Sequence, residues 1–359
     1  MKKIVLYFFM VITNILFTYG NNQNYSVVSL KEKFTIQDKP ELFYFKFSRY
    51  LVVDKKGYIC VKDYDQLLLF SPEGEFIKNI FKKGQGPGEM SDICGIYPEQ
   101  EKIIAFNRAP SKFLKFNYSG KFESESSILL NLIKANFLTF YNNRFYFFIE
   151  SYRNIEGEAT LNTKVRLFSI DEEGENSRDE NIYFNKKYFL SRNIVLNINF
   201  IQIARKNNNS FYISNNGNYE VKLLDLQKKE LSILIKKDYK KVKIKKSWRK
   251  ILNPGQNSRL YIRKTIDDIQ RIWIYNDKIW LLTSTFIEKK NLIKVDVYSM
   301  KGKYGGSFYL RMSDNTHLFM LSYNPMTFSN GLLYIYEETE EGISRLVCYK
   351  LENIPPWAL

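Results

Sequence analysis

The sequence predicts an all-β chain folded as a closed array of six similar antiparallel units. Three observations carry this reading: an aromatic and β-branched composition, a strand–turn plan that returns six times, and one strand left over near the N-terminal end. Of 359 residues, 26 are Tyr and 28 are Phe, Ile and Val are frequent, and Ala is scarce. Aromatic and β-branched side chains suit a pleated, half-buried surface, whereas Ala is the best helix former. With 45% hydrophobic residues the chain can bury a sizeable core.

The plan is clearest in "GYICVKDYDQLLLFSPEGEFIKNI", residues 57–80, where a strand around Ile59 and Val61, a polar break, "LLLF", a Gly turn and "FIKNI" succeed one another. "EKIIAFNRAPSKFLKFNYSGKFESES", residues 101–126, has the same order at nearly the same spacing. Looser versions occupy 143–176, 209–231, 277–308 and 330–353, the third of the six lying partly in "KVRLFSIDEEGEN" and the fourth lacking Gly in its last turn. Asn, Asp, Gly and Pro stand at the breaks, where positive or fixed φ is required. Six units spaced by roughly 55 residues approach the four-strand blade of a β-propeller. The strand "YSVVSLKEKFTI", residues 25–36, belongs to no unit. Pairing it with the last unit would hide two sheet edges, so the expected fold is a six-bladed β-propeller whose last blade is closed by the N-terminal strand. A two-sheet sandwich followed by a second β domain is the competing arrangement, and six similar units in one run argue against it.

Residues 1–20 read as an export leader: Lys2 and Lys3, an apolar stretch from Ile4 to Phe17 broken by Thr13 and Asn14, then Thr18 and Gly20 at the −3 and −1 positions of a cut. No Cys lies near that cut, so no lipid anchor is expected, and no later stretch approaches the ~18 apolar residues of a membrane span. The expected organisation is a leader over 1–20 and a propeller over 21–359, exported to the periplasm or beyond. Without Lys2 and Lys3 the formal charge falls from +16 to about +14, which predicts weak attraction to polyanions and, outside the cytoplasm, no nucleic-acid role. Lys, Asn and Ile are abundant throughout, so compositional bias explains much of the charge. Cys60, Cys94 and Cys348 form no disulfide framework; they read as buried apolar side chains, with Cys60–Cys94 the only pairing worth weighing.

The run "GQGPGEM", residues 84–90, sits between the first and second units. It fails as a dinucleotide fingerprint because Glu89 stands where the last Gly belongs and no helix pattern comes after it. It fails as a P-loop because it lacks the Lys-Ser/Thr pair. What remains is a structural turn: Pro87 fixes its φ and extends Gly86, Gly84 and Gly88 can take positive φ, and Glu89 can accept from N–H groups of the turn.

The stretch from Asp54 to Met90 resembles the repeat of a family of exported bacterial six-bladed β-propellers, itself similar to NHL repeats. The matching residues are Asp54, Gly57, Ile59, Val61, Asp63, Phe70, Gly74, Phe76, Gly84, Gly86, Pro87, Gly88 and Glu89, with Met90 where Phe is usual. "DDIQRIWIY", residues 267–275, is similar to the opening strand of another blade, with Ile272 and Trp273 as its matching residues. The resemblance implies a propeller and no particular reaction.

Catalytic chemistry finds little purchase. His317 is the single histidine, so neither a Ser-His-Asp or Cys-His site nor a zinc centre of His and Cys ligands is expected, and no cofactor is implied. Relatives of NHL propellers include zinc lyases, but this chain lacks the histidines. Carboxylates lining a central channel could still cleave a carbohydrate. The acidic "DEEGENSRDE", residues 171–180, reads as a solvated turn without calcium-loop spacing. In "KKDYKKVKIKKSWRK", residues 236–250, nine of fifteen residues are basic. Lys240, Lys241, Lys243, Lys245, Lys246, Trp248 and Arg249 are therefore candidate anion-binding residues, to be weighed against an exposed inter-blade insertion. The reading preferred from sequence is a non-catalytic binding or scaffolding module of the cell envelope, whose partner is a protein or a glycan. A carbohydrate hydrolase or lyase is the alternative.

Overall fold

A computed structural model describes residues 25–359 apart from 47, 100, 129, 131, 133–134, 153–159, 192–193, 197–200, 215–216, 246–247, 249–264, 315, 317, 319–320, 322–324 and 340. The expected leader and His317 therefore lie outside the described residues. Strand β1 (Val27–Gln37) comes first, ahead of six antiparallel blades. Blade one is β2 (Ser48–Val53), β3 (Ile59–Asp63), β4 (Gln66–Phe70) and β5 (Phe76–Asn79). Blade two is β6 (Ile93–Glu99), β7 (Lys102–Arg108), β8 (Ser111–Asn117) and β9 (Phe122–Ser127). Blade three is β10 (Ala135–Tyr141), β11 (Arg144–Tyr152), β12 (Thr160–Asp171) and β13 (Ser177–Ser191), with a short β14 (Ile194–Leu196). Blade four is β15 (Gln202–Arg205), β16 (Ser210–Ser214), β17 (Glu220–Asp225) and β18 (Glu230–Lys236). Blade five is β19 (Ile269–Tyr275), β20 (Lys278–Ile287), β21 (Leu292–Ser299) and β22 (Tyr304–Arg311). Blade six is β23 (Met326–Ser329), β24 (Leu332–Glu338) and β25 (Ser344–Glu352), completed by β1.

The closure expected from sequence is present. β1 runs antiparallel to β25, from Ser29 opposite Glu352 to Gln37 opposite Arg345. Its first residues, Val27 and Val28, also pair in parallel with Tyr309 and Leu310 of β22, so β1 links blades five and six into one eight-stranded sheet. Each repeated unit read from the sequence begins one strand late. The innermost strands β2, β6, β10, β15 and β23 precede the segments that show the repeat, and β19 alone among the inner strands is visible in sequence as a strand opening.

Apolar faces of neighbouring blades meet to form the core, because a strand with both faces covered buries alternate side chains in two different interfaces. Cys60, Leu67 and Leu69 of blade one pack with Ile103, Ala105 and Leu114 of blade two, and Met90 fills that interface at zero exposure. Phe106 and Phe113 pack with Phe145 and Phe147 across the next interface; the Phe106 and Phe147 rings are 5.0 Å apart, edge to face.

The letters that carry the repeat have structural duties. Oδ1 of Asp54 accepts the N–H of Tyr58 at 2.7 Å across the β2–β3 turn. Asp63, fully buried at the end of β3, accepts the N–H of Lys46 at 3.1 and 3.0 Å and so fixes the chain as it approaches β2. Asn107 repeats this in blade two, accepting from Ser91 and Asp92 at 2.8 and 2.9 Å. The turn between third and fourth strands needs a left-handed residue. Gly74, Gly120, Gly174 and Gly302 supply it at φ between 73° and 86°, and in blade four Lys229 takes φ 55° where Gly is missing.

All three thiols are free and buried. Burial pushes Cys60 and Cys94 up to about 12 and Cys348 up to about 11. Since the thiolate is the reactive form, a chromogenic disulfide reagent at pH 8 should titrate well under one thiol per native chain and three after unfolding. Prompt titration of a thiol in the native state would show that the inter-blade packing opens.

Candidate functional site

The Gly-rich run joins β5 to β6 on the face where inner strands begin. Glu89 folds back so that its Oε2 accepts the Gly86 N–H at 3.0 Å, while Lys82 pairs with its other oxygen at 3.1 Å. These two contacts hold the Glu89 carboxyl below its ordinary range. A Cβ on Gly84 would lie 2.0 Å from Glu89 Oε2, and Gly84 has φ 155°, so only glycine allows this fold-back. Gly88 N–H donates to Glu125 Oε2 at 2.9 Å, beside Pro87. Lys112, with 2% of its side chain exposed, donates to Gly86 O at 2.8 Å and to Glu125 Oε2 at 3.0 Å. The loop's polar groups thus turn inward onto a buried lysine of β8.

The basic stretch between β18 and β19 lies on the same face. Lys237 donates to the buried Asp296 at 2.7 Å and sits 4.1 Å from the ring centre of Tyr219. Lys241 donates to Asp268 at 2.8 Å and to Asn218 at 3.0 Å. Lys245 pairs with Glu288, and the buried Trp248 donates from Nε1 to the same carboxylate at 3.0 Å. Trp248 also packs on Phe286, and a bridge between Lys243 and Thr265 closes the base of the excursion. Lys240 and Lys243 are exposed. Lys246 and Arg249 lie outside the described residues. Of the candidate anion-binding residues, Lys241, Lys245 and Trp248 are thus engaged by carboxylates of their own chain.

A cavity of about 700 Å³ opens at the other end of the inner strands. Blades one to four and blade six contribute to it, through Tyr97, Glu99, Tyr141, Asn142, Asn143, Arg205 and Asn208 among others. The hairpin between β10 and β11 presents Asn142 and Asn143 at φ 49° and 56°, a two-residue turn that Asn tolerates. Arg205 is the last residue of β15, and its guanidinium lies 4.8 Å from the ring centre of Tyr97 on β6, two blades away. Its Nε donates to Asn207 O at 3.2 Å and its Nη2 to Asn208 Oδ1 at 2.9 Å, which orients the group. A second, inner cavity, of about 550 Å³, lies against the inner strands of blades one, four, five and six, where Tyr50, Gln202, Arg271, Trp273 and Phe328 line it. Ile203 and Arg205 line both, so they stand where the two cavities adjoin.

Among the described residues, two carboxylates line the outer cavity. Asp54 is committed to the Tyr58 N–H of its own turn. Glu99 is half-buried, and burial raises its carboxyl above the ordinary range, against the opposing pull of Lys115. In the inner cavity Arg271 donates from Nε to Leu321 O at 3.0 Å and from Nη1 to Gln202 Oε1 at 3.3 Å. Burial lowers its guanidinium to about 10, still charged at neutral pH. Among the described residues no group of three His, Cys, Asp or Glu side chains could hold a metal, and no helix is long and apolar enough to cross a membrane.

Of the residues named singly from sequence, Asp54 lines the outer cavity and Ile272 and Trp273 line the inner one, where Arg271 of the same segment joins them. Sequence reasoning misses Tyr97, Glu99, Asn142, Asn143, Arg205, Asn208 and Arg271 as site residues because their neighbourhood exists only in the ring. One local signal is available: "QIAR" in β15 puts Ile203 and Arg205 on one face, and both are exposed.

A family model described as a 6-bladed β-propeller, DUF5128, matches residues 31–290. Two solved structures are similar to this chain. A protein from Bacteroides fragilis NCTC 9343, described as exported, is 13% identical with TM-score 0.55, over 90% of this chain and 95% of that one. A DUF4221-family member from Bacteroides vulgatus ATCC 8482 is 12% identical with TM-score 0.52, over 93% and 100%. A comparison with curated proteins finds no match.

Two outcomes are expected from substitutions. Lys112→Ala strips a partner from Glu125 and from Gly86 O, and should cost about 2–4 kcal/mol in urea unfolding. Lys82→Ala, which removes an exposed pair, should cost under about 1 kcal/mol; equal costs would mean the loop does not depend on Lys112. Glu99 has a folded-state value above its unfolded one, so its contribution to stability is complete below the unfolded value and declines as pH rises through the folded one. Glu99→Gln should therefore raise Tm at pH 7 by about 1–3 °C and leave it unchanged near pH 4. A loss at pH 7 would show that Glu99 is held by its cations instead.

Proposed function

This chain belongs to the DUF5128 family of six-bladed β-propellers, and from that premise we propose that it is an exported, non-catalytic binding module of the cell envelope, with its ligand site at the outer cavity. The leader-like residues 1–20 and the fold shared with an exported protein of Bacteroides fragilis support export. The observation that carries the site is the lining of the outer cavity: rim amides from Asn142, Asn143 and Asn208, the Tyr97 and Tyr141 rings, and an oriented Arg205. Concave sites with convergent polar groups on aromatic walls are where ligands bind. The partner is a glycan or protein of the envelope, and the exposed lysines of the β18–β19 connection add a weaker, salt-sensitive attraction to polyanions.

A carbohydrate hydrolase or lyase is the second reading, favoured by the raised carboxyl of Glu99, which suits a general acid. Glycoside cleavage needs a second carboxylate in play, and Asp54 is occupied by the Tyr58 N–H. That balance supports binding over cleavage.

Residues 21–359 immobilised as bait in envelope extract and eluted along a salt gradient should retain one partner beyond about 0.5 M salt, where screening reaches only a few ångströms. Ile203 lies where the two cavities adjoin and is 39% exposed, so Ile203→Trp fills the cavity without disturbing the core and should abolish that retention. Retention unchanged by Ile203→Trp would move the site elsewhere, and complete elution at modest salt would leave charge as the whole attraction.

A further inference from the structure

We infer that the inner cavity is a carboxylate subsite, and that the outer cavity takes a saccharide whose terminal residue carries that carboxylate, as a uronic acid does. This rests on the binding reading of the outer cavity and goes beyond it by naming the ligand's chemistry. The inner cavity is walled by two guanidinium groups, Arg205 and Arg271, and none of its described lining residues is Asp or Glu. Positive charges set beside apolar walls attract an anion more strongly than the same charges would in water. Guanidinium groups present planar pairs of donors that match a carboxylate. Both are held in place: Arg205 through Asn207, Asn208 and the Tyr97 ring, Arg271 through Leu321 O and Gln202. Trp273 and Phe328 stack at 5.5 Å and give the same cavity an apolar side for the carbon face of a sugar ring.

The outer cavity fits the neutral sugars behind the acidic residue. Side-chain amides both donate and accept, as do sugar hydroxyls, and Asn142, Asn143 and Asn208 stand at its edge with Phe140 and Tyr141. Glu99 places a negative charge there, so a second acidic residue directly behind the first is disfavoured. The ligand is thus a neutral saccharide capped by a single acidic sugar, inserted acid first.

Calorimetry at physiological salt tests this with a tetrasaccharide of three neutral sugars capped by a terminal glucuronic acid, compared with the same compound after reduction of the carboxyl to an alcohol. The acid should bind the native protein at least tenfold tighter, about 1.4 kcal/mol. Arg271→Gln should remove most of that difference while leaving the weak binding of the reduced form in place, and Arg205→Gln should weaken the acid more than the reduced form, with far-ultraviolet circular dichroism confirming the fold. Equal binding of acid and reduced forms, both lost in Ile203→Trp, would overturn the carboxylate subsite and leave the binding site standing. Failure of either compound to bind while Ile203→Trp still abolishes envelope capture would overturn the saccharide assignment alone. Tighter binding of the 4-sulfated neutral compound, or of a tripeptide with a free C-terminus, would overturn the uronic-acid assignment.

Discussion

A ring of sheets stands or falls with its seam, and here the seam is β1. Without it β25 would present a free edge along its whole length and blade six would have three strands instead of four. Because Val27 and Val28 pair with β22 while the rest of β1 pairs with β25, one strand joins two blades by backbone hydrogen bonds. Other neighbouring blades touch through side chains, as in the Met90 and Phe106–Phe147 interfaces. The convergence of inner strands on one axis depends on the ring staying shut, and so does every distance across the channel, including that from Arg205 to Tyr97.

Buried polar groups then set each blade's position with more precision than apolar packing alone. Asp63 and Asn107 tie the approach to the inner strand to the end of their own blade's second strand. Lys112 does the same for the connection between blades one and two. Such groups would be costly if unpaired, and their pairing directs the repeated geometry of the turns toward the face opposite the outer cavity. The molecule is consequently divided: one face is consumed by its own connections, while the other presents short hairpins around an open space.

Much of the fold is legible in the letters because blades are local. Ile59, Val61 and Phe70 recur with fixed spacing since each blade buries the same positions, and the orphan segment 25–36 announces the seam by having no partner nearby. The inner strands are hard to see for a physical reason. β15 is four residues long, and its outward pair Ile203 and Arg205 faces a channel rather than a core, so the usual apolar alternation is lost. The candidate site is almost wholly hidden, since Tyr97, Asn143, Arg205 and Arg271 come from four blades and have no mutual spacing to detect. The basic stretch misleads in the opposite way: a run of lysines looks free on paper, while Asp268 and Glu288, which engage Lys241 and Lys245, lie more than twenty residues downstream.

The position of Arg205 has a bearing on polymers. A side chain that reaches from blade four to the ring of Tyr97 on blade two spans the inner edge of blade three. If the acid-capped saccharide proposed above is the ligand, such a cup counts termini and ignores interior residues: a polysaccharide cut into many pieces offers it many ligands, whereas the same mass left intact offers few.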